Sequence, residues 1–321
     1  MIFYFQGGKK VKQRPFGSTG KFVSEIGLGS WQLGNENDWG SMSENEGINI
    51  VNKALELGCN FFDTAPNYAL GKSEEILGKA LKEKRDKVII SSKFGHHDNG
   101  EVDFDANEIQ KSVDKSLKRL QTDYLDALLL HNPPFKYLNG NNQHFEELEK
   151  LKKEGKIGAY GASVDTSEEM FELIEKTNSQ VIEVMFNIFH QKPAKAFKVA
   201  QEKKIALIIK VPLDSGWLSG KYNAKSRFND IRNRWSSEII IRRSEMLEEV
   251  KNIVDPNQSL AKSALQFILA HPEVSTVIPG AKNIRQLEEN ISAVQGAMDL
   301  KRLEQLRSFW ENQLIHNNLP W

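Results

Sequence analysis

The sequence predicts an α/β fold, a TIM (β/α)8 barrel with an N-terminal β-hairpin and C-terminal loop and helix additions. Eight short, near-continuously apolar runs recur along the 321 residues, most followed by an amphipathic segment. Runs of that kind suit parallel strands buried on both faces. A doubly wound sheet also alternates strand and helix, but it would show a Gly-rich turn opening a helix after its first strand. Here G-L-G-S-W-Q-L-G at Gly27–Gly34 leads into N-E-N-D-W-G, which opens no helix.

The eight runs are Ser24–Gly29, Asn60–Asp63, Val88–Lys93, Tyr124–Leu130, Ile157–Ser163, Val181–Asn187, Ile205–Val211 and Ser275–Pro279. Ahead of them, the segment from Arg14 to Gly20 has the Gly-rich turn of a hairpin placed to plug the barrel's bottom. Ser43 and Glu46 form a capping box, in which each side chain serves exposed backbone N–H groups of the other's turn. Ile48, Val51, Ala54 and Leu55 then recur at helical spacing until Gly58. Ile109–Leu120, Phe145–Leu151 and Ala264–Ala270 carry similar faces. The longest irregular stretch, Asp214–Trp235, precedes a charged helix near Glu238–Val254, and a loop of that length is usually functional or mobile. Residues 9–321 read as one barrel domain. Residues 1–8 contain Y-F-Q-G, which resembles the remnant of a protease cleavage site and stands outside the fold.

Lys plus Arg (43) equals Asp plus Glu (43), so global charge favours neither nucleic acid nor an anionic membrane as partner. No apolar stretch approaches the ~20 residues of a membrane helix, and the N-terminus lacks signal-peptide order, which predicts a cytoplasmic chain. Cys59 is the single cysteine, so no intrachain disulfide forms, and its setting reads as the buried start of a strand. No strand-end cluster of His and carboxylates points to a metal.

In a parallel barrel, catalytic groups gather where strands end. Those ends offer Asp63, Lys93 and His131, with Tyr68 in the loop after the second strand. Each alone has a plainer explanation as a cap or a packing group; four on consecutive strands form a chemical set. A phenol of pKa near ~10 is a weak proton donor at neutral pH, and an adjacent ammonium is expected to draw it toward the working range. Asp63 would neutralise a partly desolvated Lys93, while His131 would donate to a substrate oxygen. The set suits reversible carbonyl reduction, and the hydride must come from a cofactor, since no side chain supplies one.

The segments F-F-D-T-A-P-N-Y around Asp63 and Tyr68, S-S-K-F-G around Lys93 and L-L-L-H-N-P around His131 resemble those of the aldo-keto reductases, from about Arg14 to Ala293. The resemblance implies an NAD(P)-dependent oxidoreductase with Tyr68 as general acid/base and Lys93, Asp63 and His131 as its catalytic partners. It further implies a nicotinamide cofactor lying across the mouth against Ser30, Trp31, Asp63 and Ser163. Pro212, Leu213, Ser215, Gly216, Leu218, Gly220 and Lys221 would cradle its pyrophosphate. Pro279, Gly280, Lys282, Gln286 and Asn290 would grip the adenosine half, at a helix start suited to an anion.

Three positions depart from the family pattern. Val164 stands for a common Asn, Glu183 for the Gln of the carboxamide clamp, and Lys210 for the Tyr that stacks on the nicotinamide. A carboxylate accepts from the amide but cannot donate, and a lysine stem covers a ring without stacking. Pairing of Lys210 with Glu183 across strands is an equal alternative. Lys282 and Arg285 provide cations for a 2′-phosphate, favouring NADP over NAD. Trp31, Asn67, Phe94, Asn132 and Trp217, with Trp39, are candidates to wall the substrate site, for a small carbonyl compound or a sugar. A cofactor-binding regulatory or redox-sensing subunit of the same fold is the alternative. No motif encodes an oligomeric state.

Overall fold

Two short strands, β1 (Gln13–Pro15) and β2 (Phe22–Ser24), pair antiparallel and precede eight parallel strands in one sheet. These are β3 (Leu28–Gly29), β4 (Phe61–Asp63), β5 (Ile89–Phe94), β6 (Leu125–His131), β7 (Ile157–Val164), β8 (Val181–Met185), β9 (Ala206–Lys210) and β10 (Val274–Val277). The computed structural model describes residues 12–36 and 38–321, so the tag-like segment 1–8 lies outside the described residues. The first apolar run divides: Ser24 ends the hairpin, and the barrel strand follows at Leu28.

The sheet closes where β10 returns to β3. Gly27 N–H donates to Val277 O at 2.8 Å, and Val277 N–H donates to Glu25 O at 3.0 Å. Gly29 is required at this seam, because a β-carbon there would lie 2.6 Å from Ile278 O. Helices α1 (Glu44–Glu56), α2 (Lys72–Leu81), α3 (Ile109–Leu120), α4 (Gln143–Lys153), α5 (Ser167–Lys176) and α6 (Phe197–Glu202) alternate with the strands. Beyond β9 come α7 (Ser237–Ile253) and α8 (Leu260–Leu269), and α9 (Ile284–Ile291) and α10 (Leu300–Gln313) follow β10. The Ser43–Glu46 capping box opens α1. Among the described residues no helix is long and apolar enough to cross a membrane.

Strand alternation divides the apolar residues into two layers. Phe61, Ile89, Ala127, Leu129, Ala159, Val181, Ala206 and Ile208 fill the barrel, joined from below by Phe16 and Val23 of the hairpin. Phe62, Ile90, Phe94, Leu128, Leu130, Val164, Ile182 and Ile209 face the helices. The hairpin is held by Arg14, which donates to the carbonyls of Leu269, His271 and Val274 and pairs with Glu25.

Phe16 is fully buried and packs on Phe61 at a ring separation of 5.5 Å. Phe16→Ala is expected to cost about 3–5 kcal/mol in urea unfolding; a loss below about 1 kcal/mol would show the plug to be dispensable. Burial pushes the Cys59 thiol up to about 11. Native protein at pH 8 should therefore resist a thiol-reactive dye that labels the urea-unfolded chain at once.

Candidate active site

The alternation that lines the barrel with apolar groups ends in a polar layer. On six successive strands a polar residue takes an inward position toward the C-terminal end: Asp63, Lys93, His131, Ser163, Glu183 and Lys210. Phe94, one residue past Lys93, faces outward by the same alternation and is fully buried among the helices.

Lys93 is the centre of this layer. Its side chain is wholly enclosed, and Nζ lies 2.6 Å from Asp63 Oδ1, 3.1 Å from Thr64 O, 3.4 Å from Glu183 Oε2 and 3.5 Å from Tyr68 Oη. A buried ammonium is tolerated when carboxylates surround it, and two do so here. They outweigh the loss of solvent and push Lys93 further up, so it remains charged. Burial, reinforced by the charge of Glu183 and opposed by Lys93, raises Asp63 well above the usual carboxylate range.

Tyr68 follows β4 in a turn where Ala69 and Leu70 adopt positive φ. Its ring stacks on Trp31 (5.7 Å, 16° between planes) and meets His131 edge-on at 5.9 Å. Here the outcome differs from the expectation. Lys93 does favour the phenolate, but burial raises the phenol above its ordinary value, aided by Asp63 and Glu183. The Lys93 ammonium is the largest opposing influence on the phenol, and burial outweighs it. His131 is lowered far below its ordinary range, first by burial and then by Lys93, His96 and Lys210, so its imidazole is neutral. Its Nδ1 is buried without a hydrogen-bond partner.

Glu183 and Lys210 do not pair with each other. Lys210 forms an ion pair with Asp165 (2.9 Å) and donates to Asn132 Oδ1 (2.7 Å) and Ser163 Oγ (2.9 Å). Ser163 Oγ in turn donates to Glu183 Oε1 at 2.9 Å. Ser163 thus links the two substituted positions, and Val164 points away from them into the helix layer.

A cavity of about 540 Å³ opens over this layer. It runs from Trp31, Asn67, Tyr68, His96, His131 and Asn132 across Ser30, Asp63, Glu183 and Lys210. It continues along Pro212, Leu213, Ser215, Gly216 and Lys221 to Pro279, Gly280, Lys282, Arg285, Gln286 and Asn290. Val211, Asp214 and Ser215 all hold positive φ, so the cradle is built from strained backbone. Lys282 stands beside Arg232 and Lys221, whose charges add to burial in lowering it, and its ammonium reaches Trp39 O. Asn283 caps α9 by accepting from Gln286 N–H at 3.0 Å, and Gln286 Oε1 accepts from Lys282 N–H at 2.8 Å.

Some sequence candidates fall elsewhere. Trp217 is fully buried, packed with Tyr222, Phe228 and Trp235, and it organises the long loop from beneath instead of lining the pocket. Leu218 is likewise core, Gly220 lies off the cavity wall, and Ser163 and Lys93 sit one layer behind the surface. Sequence reading missed His96, which packs on His131 at 4.6 Å; its signal was a polar residue three positions after the Lys93 strand end. Arg232 had no comparable signal, because it reaches the cavity only through the folded loop.

The cavity runs from a phenol at one end to a cationic group of side chains at the other. Buried atoms at the reacting end without a hydrogen-bond partner, Asp63 Oδ2 and His131 Nδ1, fit a polar ring and a carbonyl. A parallel barrel with this mouth is an oxidoreductase scaffold, and comparison with known proteins agrees. The Aldo/keto reductase family model matches residues 25–311, and the chain belongs to that family. It is 33% identical over 291 residues to the uncharacterized oxidoreductase YqkF of Bacillus subtilis, covering 88% of this chain and 91% of that one. It is 30% identical to L-galactose dehydrogenase of Arabidopsis thaliana, covering 97% of each. The holo form of an aldo-keto reductase from Bacillus halodurans superposes with a TM-score of 0.79 at 28% identity, covering 93% of this chain and 96% of that one. The chain is accordingly an NAD(P)-dependent oxidoreductase.

Proposed function

We propose that residues 9–321 act as one catalytic unit that reduces the carbonyl of an aldehyde, ketone or sugar, or oxidises the corresponding alcohol, with Tyr68 as general acid/base. The observation that carries this reading is Tyr68 Oη beside the enclosed Lys93 ammonium and facing the edge of a neutral His131. When bound, the nicotinamide supplies or accepts the hydride. The protonated phenol of Tyr68 donates to the substrate oxygen as negative charge develops there, and Lys93 stabilises the phenolate left behind. His131, held neutral, orients that oxygen through an N–H. Asp63 keeps Lys93 in place and charged.

Ser30, Trp31, Ser163, Glu183 and Lys210 would hold the nicotinamide end, with Ser163 acting through Glu183. Pro212–Lys221 would hold the pyrophosphate, and Pro279–Asn290 the adenosine half. Convergence of Lys282, Arg232 and Lys221, with Arg285 on the same wall, supports NADP over NAD, because a 2′-phosphate adds charge where cations crowd. Trp31, Asn67, His96 and Asn132 surround the reacting end. Asn67 Oδ1 is buried with no partner, which supports a hydroxylated substrate such as a sugar.

The second reading, a cofactor-binding regulatory or redox-sensing subunit, is favoured by the substituted clamp at Glu183 and Lys210. Tight cofactor binding with no turnover on a broad carbonyl and sugar panel would select it.

Tyr68→Phe is expected to lower turnover at least ~100-fold while leaving cofactor affinity intact. Unchanged turnover, read at the nicotinamide absorbance, would sink the mechanism. Lys282→Ala should weaken NADPH binding about tenfold and NADH binding much less. Equal losses would remove the reason for preferring NADP.

A further inference from the structure

The reacting end of the cavity holds more negative charge than its lysine can match. Asp63 and Glu183 both lie against Lys93 Nζ, at 2.6 and 3.4 Å. Asp63 Oδ2 is buried with no hydrogen-bond partner, and Glu183 Oε2 has no hydrogen bond beyond its 3.4 Å ion pair with Lys93. The groups facing this trio do not relieve it. Tyr68 and His131 are neutral, Ser163 Oγ donates toward Glu183 Oε1 and Asn132 Oδ1, and Lys210 is matched by Asp165. With both carboxylates ionised, the trio therefore carries a net negative charge in a pocket nearly closed to water.

Like charges sharing a dry site do not both ionise; one proton held between them removes the excess. The raised position of Asp63 agrees with this. Glu183 lines the cavity between Tyr68 and the Pro212–Gly216 loop, so a dinucleotide whose reactive ring reaches Tyr68 brings that ring beside Glu183. The oxidised ring is a cation and the reduced ring is neutral, whereas their phosphates are identical.

We propose that Asp63 holds a proton in the free protein and releases it when the oxidised cofactor binds, so that the Asp63–Glu183 pair makes the site read the redox state of the nicotinamide. The proposal rests on the nicotinamide site described above. Loss of the Asp63 proton leaves an unmatched negative charge facing the cationic ring, so affinity for the oxidised cofactor rises with pH as Asp63 titrates. Affinity for the reduced cofactor lacks that dependence. The negative charge left beside the ring also favours the direction in which positive charge develops on it, which is carbonyl reduction.

The test is calorimetric titration of the full chain with NADP+ and with NADPH, in phosphate and in Tris, whose ionisation enthalpies differ. NADP+ is expected to release up to about one proton more than NADPH. In Glu183→Gln, which preserves shape, that difference should vanish, and the ratio of NADP+ to NADPH dissociation constants should rise about tenfold. Equal proton counts for the two cofactors in the unaltered protein overturn the proposal, and that measurement needs no variant to fold. A difference that persists in Glu183→Gln assigns the proton to Tyr68 and overturns it as well. Failure of both cofactors to bind would instead refute the nicotinamide site itself, and the proposal with it.

Discussion

A fully enclosed ammonium at the top of the barrel is the constraint on which the rest of the site depends. Lys93 has no access to water, so its charge persists only because Asp63, Glu183 and the Thr64 carbonyl converge on it. Satisfying it draws together the ends of the adjacent strands β4 and β5 and that of β8, three strands further round the barrel. Tyr68 is then carried to within 3.5 Å of Nζ by the turn that leaves β4. His131 is neutral first because it is buried, and the neighbouring Lys93 charge adds to that.

A second buried pair organises the outer half of the cavity. Asp214, at the start of the long loop, is bonded to Arg243 of α7, and both are buried. Arg243 also donates to Pro320 O, and Trp321 Nε1 donates to Ser215 Oγ at 3.0 Å, so the last residues lie across the strained cradle. Trp217, Tyr222, Phe228 and Trp235 pack beneath it, and Arg232 crosses their faces toward Trp39. A segment that its length marks as loose is thus held by its own aromatic core. That leaves Ser215 and Gly216 presented to the cavity on a firm base.

The strand ends were readable because period-two alternation and apolar run length are local properties. Asp63, Lys93 and His131 each interrupt such a run at its C-terminal end, and Tyr68 lies a short turn beyond. Phe94 could have been placed outward from the same alternation, since it immediately follows the inward Lys93. Trp217 could not, because nothing adjacent in sequence distinguishes a loop tryptophan that lines a pocket from one that props it. The direction in which Tyr68 shifts depended first on how deeply the folded site buries it, against the opposing charge of Lys93. Glu183 adds to that rise from a strand ninety positions beyond Lys93.

The sequence by itself determined the barrel and its plug, because these follow from periodicity and caps, and its resemblance to the aldo-keto reductases carried the nicotinamide class of cofactor. Only the tertiary structure decided which partner each charge takes: Glu183 with Lys93, Lys210 with Asp165, Arg232 beside Lys282. Those pairings arise where closing the barrel and folding the long loop bring unrelated positions together. In a dry pocket the nearest opposite charge, whatever its place in the chain, sets the protonation of everything around it.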